Sequence, residues 1–180
     1  MQYVDVACRL LLLTVFALAL AGKVTSRTAW REFTGSVRAM KVVGDDAAPP
    51  VAVATVAAEA LVIVFAATPL PWAGPVAYVL AAGLLACLTV AVVLVVRRGA
   101  AVPCRCFGAS STPMDLRHVV RNLILVAVAL LGLASTVAHR PADLALGALA
   151  GVCGAVAGLL MARWDDLVPL LVGTSSRRRP

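Results

Sequence analysis

Five long apolar stretches alternate with shorter, more polar connections along the chain. They are Val6–Gly22, Val51–Leu70, Val76–Val96, Val119–Ala138 and Leu144–Ala162. Each is long enough to cross the roughly 30 Å hydrocarbon layer of a bilayer as a helix. The pattern predicts an all-α, polytopic helical membrane protein, with a four-helix core and a C-terminal fifth span. The 180 residues are expected to form a single membrane domain that ends in a basic tail, 163–180.

The first apolar stretch has a second interpretation. Its segment Leu10–Ala21 and the small residues near its end are also features of a cleaved signal peptide. The residues before it are not basic as in a signal peptide, because Asp5 offsets Arg9. We therefore interpret this stretch as a membrane span.

Composition and charge support the membrane interpretation. Hydrophobic residues make up 62% of the chain, charged residues 14%, and the mean hydropathy is +0.96. Soluble domains average about 45–50% apolar and about 25% charged residues, so soluble and disordered proteins are both excluded. The net charge of +7 reflects basic loops and gives no indication of nucleic-acid binding.

The basic residues predict an orientation. With five spans, fourteen of the sixteen lysines and arginines fall on one side of the membrane. Arg9 and Arg140 fall on the other side. Because basic loops stay in the cytoplasm, the N-terminus is expected outside and the C-terminus inside.

The connection between the first two spans contains its own pattern. Trp30, Phe33, Val37 and Met40 recur at three- and four-residue steps, with basic residues between them. This spacing predicts a short amphipathic helix in the membrane interface. The alternative is a loop with scattered apolar residues.

The fifth span is rich in glycine at helical spacing. Gly147, Gly151, Gly154 and Gly158 form two G-x-x-x-G pairs. Small residues allow the backbones of two helices to approach closely in lipid. The pattern predicts packing inside the chain, with a homo-oligomer through the same glycines as the alternative.

Two thiols lie in the polar connection before the fourth span. Cys104 and Cys106 are separated by Arg105, and cationic neighbours stabilise a thiolate. A disulfide closed over one residue would be strained and easily reduced, which suits a relay more than a structural link. Half of a metal site, idle thiols and pairing with another chain are the alternatives. No second Cys or His pair lies in a polar loop, so no metal site is predicted.

Other residues near the thiols and in the spans carry weaker signals. Thr112, Pro113 and Asp115 match the N-cap, N1 and N3 positions of a helix. The remaining cysteines, Cys8, Cys87 and Cys153, lie in apolar stretches and are predicted to be small buried side chains.

An acidic residue, Glu59, lies near the middle of the second span. Because an acidic side chain there costs roughly 2.5 kcal/mol or more, it is expected to face the interior of the bundle. Its candidate partners are Lys23, or Arg121 with Asn122. The structural interpretation is an ion pair or a protonated carboxyl; the functional one is a proton relay or a group beside a quinone. Arg117 and Arg121 are four residues apart on one helix face, either as interfacial anchors or as part of a site.

Four groups of residues resemble the MauE family of bacterial membrane proteins, which belongs to the broader DoxX-like set. They are Ala21-Gly22-Lys23, the central Glu59, Cys104-Arg105-Cys106-Phe107-Gly108 and Arg121-Asn122-Leu123. The resemblance covers about residues 6–138 and is most specific at the C-x-C-F-G element.

The resemblance implies a multi-pass, redox-associated protein of the bacterial plasma (inner) membrane. It implies that Cys104 and Cys106 exchange electrons, with support from Arg105, Phe107, Gly108 and the polar residues named above. It also implies a thioredoxin-like partner and an exported client, as in the maturation of methylamine dehydrogenase. Quinone is a candidate acceptor by analogy with other membrane thiol oxidases, although no residue pattern requires it.

Two other functions stay open, and one conflict stands. The chain could be a non-catalytic scaffold for a thioredoxin-like protein, or a small carrier that uses Glu59 as its proton site. The conflict concerns sidedness, because disulfides form in the exported space whereas the basic residues place Cys104 and Cys106 inside.

Overall fold

The computed structural model describes residues 1–99, 115–136 and 143–164. They form six helices: α1 Gln2–Val24, α2 Arg27–Ala39, α3 Ala48–Ala67, α4 Ala73–Arg97, α5 Leu116–Ser135 and α6 Leu144–Ala162. All except α2 are long and apolar enough to cross a membrane. The predicted all-helical architecture with five spans is therefore confirmed.

The helix bounds lie within four residues of the predicted ones, and the start of α5 shows one physical reason for a difference. Asp115 is its N-cap and accepts a hydrogen bond from the backbone N–H of Arg117 at 3.0 Å. The backbone N–H of Asp115 in turn donates to Nδ1 of His118 at 3.3 Å. The prediction that Asp115 occupies the third helical position was wrong, because His118 takes that place in the capping box. Thr112 and Pro113 lie outside the described residues.

The amphipathic helix between the first two spans is confirmed as α2. It begins after Ser26, whose hydroxyl accepts a hydrogen bond from the backbone N–H of Ala29 at 3.0 Å. Its buried residues Phe33 and Val37 pack against Ala48 and Ala52 at the start of α3. The apolar face of α2 is thus covered by α3, and its basic face is exposed.

Helices α1, α3, α4 and α5 enclose the main core. The buried side chains are Cys8, Leu12, Val15 and Phe16 from α1, Val62 from α3, Tyr78, Ala81 and Leu85 from α4, and Leu125 and Ala129 from α5. Because α1 contacts every other described helix, it is the central span of this bundle.

Contacts between helices assign the two ends of the bundle. At the Met1 end, where α1 begins, the Tyr78 hydroxyl of α4 lies 2.8 Å from Oδ1 of Asp5, and its ring covers Gly132 of α5. At the Lys23 end, where α1 finishes, Val92 and Val95 of α4 pack on Val119 of α5. Helices α4 and α5 are therefore antiparallel, and the chain alternates between the ends as a five-span protein must.

Arg9 lies inside the first span, where the sequence offered no partner for it. Its Nε donates to the carbonyl oxygen of Ala66 at 2.6 Å and its Nη2 to that of Phe65 at 3.3 Å. Nη2 also donates to the carbonyl oxygen of Thr68. The last carbonyls of a helix lack partners within the helix and carry partial negative charge. Arg9 therefore caps α3 and joins it to α1 at the Met1 end.

The glycines of α6 lie against α1. A Cβ atom at Gly158 would stand 2.6 Å from the carbonyl oxygen of Leu11, and one at Gly151 2.6 Å from a methyl group of Leu10. A Cβ atom at Gly154 would collide with the backbone of Ala7. Close packing inside the chain is therefore the interpretation that the structure supports. The homo-oligomer prediction is corrected for these three glycines, because α1 already occupies their face.

The glycine packing predicts unequal effects of substitutions along α6. Gly154→Leu should lower the free energy of unfolding by about 1–3 kcal/mol, since the backbone of Ala7 cannot yield to a side chain. Gly147→Leu is the matched control, because nothing lies within 4 Å of a Cβ atom there. Unfolding of the purified protein in mixed micelles by increasing SDS measures both, and equal losses would contradict the packing.

Candidate functional site

A buried ion pair joins α1 to α3 near the Lys23 end. Nζ of Lys23, in the last turn of α1, lies 2.6 Å from Oε1 of Glu59, in the middle of α3. The two residues are only 2% and 1% exposed. Of the candidate partners for Glu59, the structure thus selects Lys23. A charge that would be costly in hydrocarbon is neutralised by a partner inside the bundle.

The ammonium group of Lys23 has two further contacts. Nζ lies 3.4 Å from the carbonyl oxygen of Ala19 and 5.1 Å from the centre of the Phe33 ring. A cation over the face of an aromatic ring is attracted by the electrons of that ring. Because Phe33 belongs to α2, the amphipathic helix closes the pair from the Lys23 end.

Three polar residues in the first turns of α5 are also buried. His118, Arg121 and Asn122 are 2%, 1% and 1% exposed. They continue the buried stripe that includes Leu125 and Ala129 and faces α1 and α4. Since α5 runs antiparallel to α1, this stripe places them at the end of the bundle that holds Lys23. The burial of His118 could not be predicted from a lone histidine beside two arginines.

Arg117 and Arg121 do not share a surface, although they are four residues apart. The side chain of Arg117 is 55% exposed, and its Nε lies 3.5 Å from Oδ2 of Asp115. Arg121 is buried. The prediction that both occupy one face is therefore corrected: Arg117 is a surface residue at the helix start, and only Arg121 joins the interior polar group.

Two buried oxygen atoms of this interior polar group accept no hydrogen bond from the described part of the chain. They are Oε2 of Glu59 and Oδ1 of Asn122. A buried acceptor without a donor costs about 1–3 kcal/mol, so such atoms are uncommon and call for an explanation. Both oxygen atoms can accept a hydrogen bond from a donor that is not part of the described helices, such as a water molecule.

The predicted catalytic residues lie outside the described residues. These are Cys104, Arg105, Cys106, Phe107 and Gly108, between Gly99 and Asp115. The described chain leaves α4 and enters α5 at the Lys23 end, so residues 100–114 connect two points on the side of the ion pair.

The three cysteines of the spans are free thiols in different surroundings. Cys8 is buried in the core, whereas Cys87 and Cys153 are exposed on α4 and α6. The prediction of buried side chains is confirmed for Cys8 and wrong for the other two, which lie on outer helix surfaces.

The ion pair predicts a specific double-mutant pattern. Lys23→Met should lower the free energy of unfolding by about 3–5 kcal/mol, because it leaves the Glu59 carboxylate buried without its cation. Lys23→Met with Glu59→Leu should recover most of that loss, because no buried charge remains. SDS-induced unfolding in micelles measures both variants. Lys41→Met, at an exposed lysine, is the control; equal losses for the single and double variants would contradict the pairing.

A comparison with protein-family models gives one family. Residues 1–135 match the model described as MauE, methylamine utilisation protein MauE. No curated protein and no solved structure matches the chain. The matched residues include Lys23, Glu59, Arg121 and Asn122 and end at Ser135, the last residue of α5, so α6 lies beyond them. Because the match covers 135 of the 180 residues, this multi-pass membrane protein belongs to the MauE family.

Proposed function

We propose that this protein exchanges electrons between thiols and disulfides, with Cys104 and Cys106 as the reacting pair, to support maturation of an exported protein. The observation that carries the proposal is the polar group inside the bundle. Lys23, Glu59, His118, Arg121 and Asn122 are all buried and belong to the half of the bundle at which residues 100–114 join the helices. Buried ionisable residues are rare in membrane-spanning bundles and commonly mark functional sites.

The exchange needs only the disulfide of a thioredoxin-like partner as its oxidant. One thiolate of the pair attacks a disulfide of a thioredoxin-like partner and forms a mixed disulfide, which releases one partner thiolate. The second thiol of the pair then attacks the mixed disulfide and releases the other partner thiolate. Two electrons pass to the partner, and Cys104 and Cys106 become a disulfide. The reverse direction oxidises a client dithiol by the same steps.

The buried group supplies features that such an exchange requires. The exchange moves two protons from the cysteine pair to the two partner thiolates, and Glu59 offers an acceptor oxygen that receives no hydrogen bond from the described residues. Arg105 stands between the two cysteines in the sequence, and Arg121 follows them in the first turns of α5. Cationic surroundings favour the thiolate, which is the reactive form of cysteine. The methylamine utilisation family supports a client of the methylamine dehydrogenase type.

A scaffold for a thioredoxin-like protein is the second candidate function. Its support is α2, whose basic face is exposed while its apolar face is held by α3. A fixed, charged helix suits docking of a partner without any chemistry. The two functions differ in whether the thiols are required.

Thiol trapping in intact cells tests the exchange. In a variant without Cys8, Cys87 and Cys153, a membrane-impermeant maleimide should label Cys104 and Cys106 only after prior reduction, because the resting pair is oxidised. Labelling of intact cells would show that the pair faces outside, and a need for permeabilisation would show that it faces inside. Labelling that is the same with and without reductant would contradict the proposal.

Single substitutions provide the matched control for trapping. Cys104→Ser and Cys106→Ser each leave one thiol that cannot form the internal disulfide, so the remaining thiol should label without reduction. One of the two should also accumulate a mixed disulfide with its partner, visible as a reductant-sensitive shift on a gel. If Cys104→Ser with Cys106→Ser retains full client maturation, the scaffold function is supported and the exchange is not.

A further inference from the structure

The exposed face of α2 is basic. Arg27, Arg31 and Arg38 are exposed on it, and Lys41 follows its last turn. The opposite face is buried, because Phe33 and Val37 pack on α3. The helix therefore cannot turn its cationic side chains inward, and they remain available to a ligand.

A cavity of about 390 Å³ lies at the junction of α1 and α2. Its lining residues are Val24, Ser26, Arg27, Trp30 and Arg31. Two guanidinium groups one helical turn apart thus flank a space whose other walls include an indole ring and an aliphatic side chain. The lining thus combines two cationic residues with the apolar residues Val24 and Trp30.

We propose that this cavity binds the headgroup of an anionic phospholipid. The phosphate lies between Arg27 and Arg31, whose planar donors match phosphate oxygens in pairs. Trp30 and Val24 contact the glycerol and the first acyl carbons, as an indole ring does at a membrane interface. This inference does not depend on the proposed thiol exchange.

The position of the cavity favours a lipid over other anions. Only Thr25 and Ser26 separate the end of α1 from the start of α2. Because α1 is one of five helices able to span a membrane, α2 begins where that span leaves the hydrocarbon layer. Anionic headgroups are concentrated at this level, and each Lys or Arg near them strengthens binding.

Lipid binding would also act on the buried ion pair. Phe33, six residues after Arg27, lies 5.1 Å below Nζ of Lys23. A lipid that holds α2 against α3 keeps this ring in place and so stabilises the closed end of the bundle. The lipid should therefore raise the thermal stability of the whole protein.

Tryptophan quenching tests the site directly. In a Trp72→Phe, Trp164→Phe variant, Trp30 is the sole tryptophan. In micelles, brominated dioleoyl-phosphatidylglycerol should quench Trp30 at a much lower mole fraction than brominated dioleoyl-phosphatidylcholine. Arg27→Gln with Arg31→Gln should weaken the phosphatidylglycerol interaction about 25-fold, or about fivefold per charge. Equal quenching by the two lipids would overturn the proposal.

Two matched variants separate the cavity from general charge. Arg38→Gln with Lys41→Gln removes the same number of charges from residues that do not line the cavity, and it should retain the preference for phosphatidylglycerol. Arg27→Lys with Arg31→Lys keeps both charges but loses the paired guanidinium donors, so it should weaken the preference for phosphatidylglycerol, although by less than the glutamine variant does. Inorganic phosphate at millimolar concentration should not displace the lipid. An equal loss in both glutamine variants, or displacement by phosphate, would count against a lipid site here.

Discussion

The ion pair between Lys23 and Glu59 is the constraint on which the arrangement at one end of the bundle depends. A carboxylate in the middle of a membrane span is tolerated only when a partner neutralises it inside the protein. Lys23 lies in the last turn of α1, and its Nζ is 2.6 Å from Oε1 of Glu59. The pair therefore determines how far α1 extends past α3, and it requires α2 to close the end with the Phe33 ring.

Arg9 provides the same kind of constraint at the other end of α1. It binds carbonyl oxygens at the C-terminus of α3, whereas Lys23 binds a carboxylate near the middle of α3. Arg9 and Lys23 of α1 thus bind α3 at two different levels. A shift of α1 along α3 would break both interactions. The apolar core between them has no comparable preference for one register, because side chains such as Val15 and Val62 pack without direction.

The helices were predictable from hydrophobic patterns along the sequence, whereas contacts between residues far apart in the sequence were not. The spans and α2 follow from hydrophobic periodicity, and Leu144–Ala162 has the predicted bounds because charged or polar residues flank it on both sides. The sequence limited the partners of Glu59 to Lys23 or to Arg121 with Asn122. It did not distinguish between them, because that depends on how deep α1 and α5 lie relative to α3. The capping of α3 by Arg9 had no local signal, because the acceptors are backbone atoms 56–59 residues away. Similarly, the four-residue spacing of Arg117 and Arg121 indicated that they share one helix face. In the structure Arg121 is buried and Arg117 is exposed, because the buried face of α5 includes only Arg121.

Burial also changes how the charge pattern predicts orientation. Lys23 and Arg121 count as basic residues of the inner loops, yet both are interior groups that do not face water. The charge difference between the two ends remains without them. The described cations that remain exposed at the same end are Arg27, Arg31, Arg38, Lys41, Arg97, Arg98, Arg117 and Arg163. The described part of the Met1 end contributes only Arg9, whose guanidinium group is engaged with α3. An N-out orientation therefore rests on solvent-facing charge and stays the prediction, and it places residues 100–114 on the cytoplasmic side. Exchange with an exported client would then require electrons to cross the bilayer, so the sidedness of Cys104 and Cys106 decides whether the partner of this protein lies inside or outside.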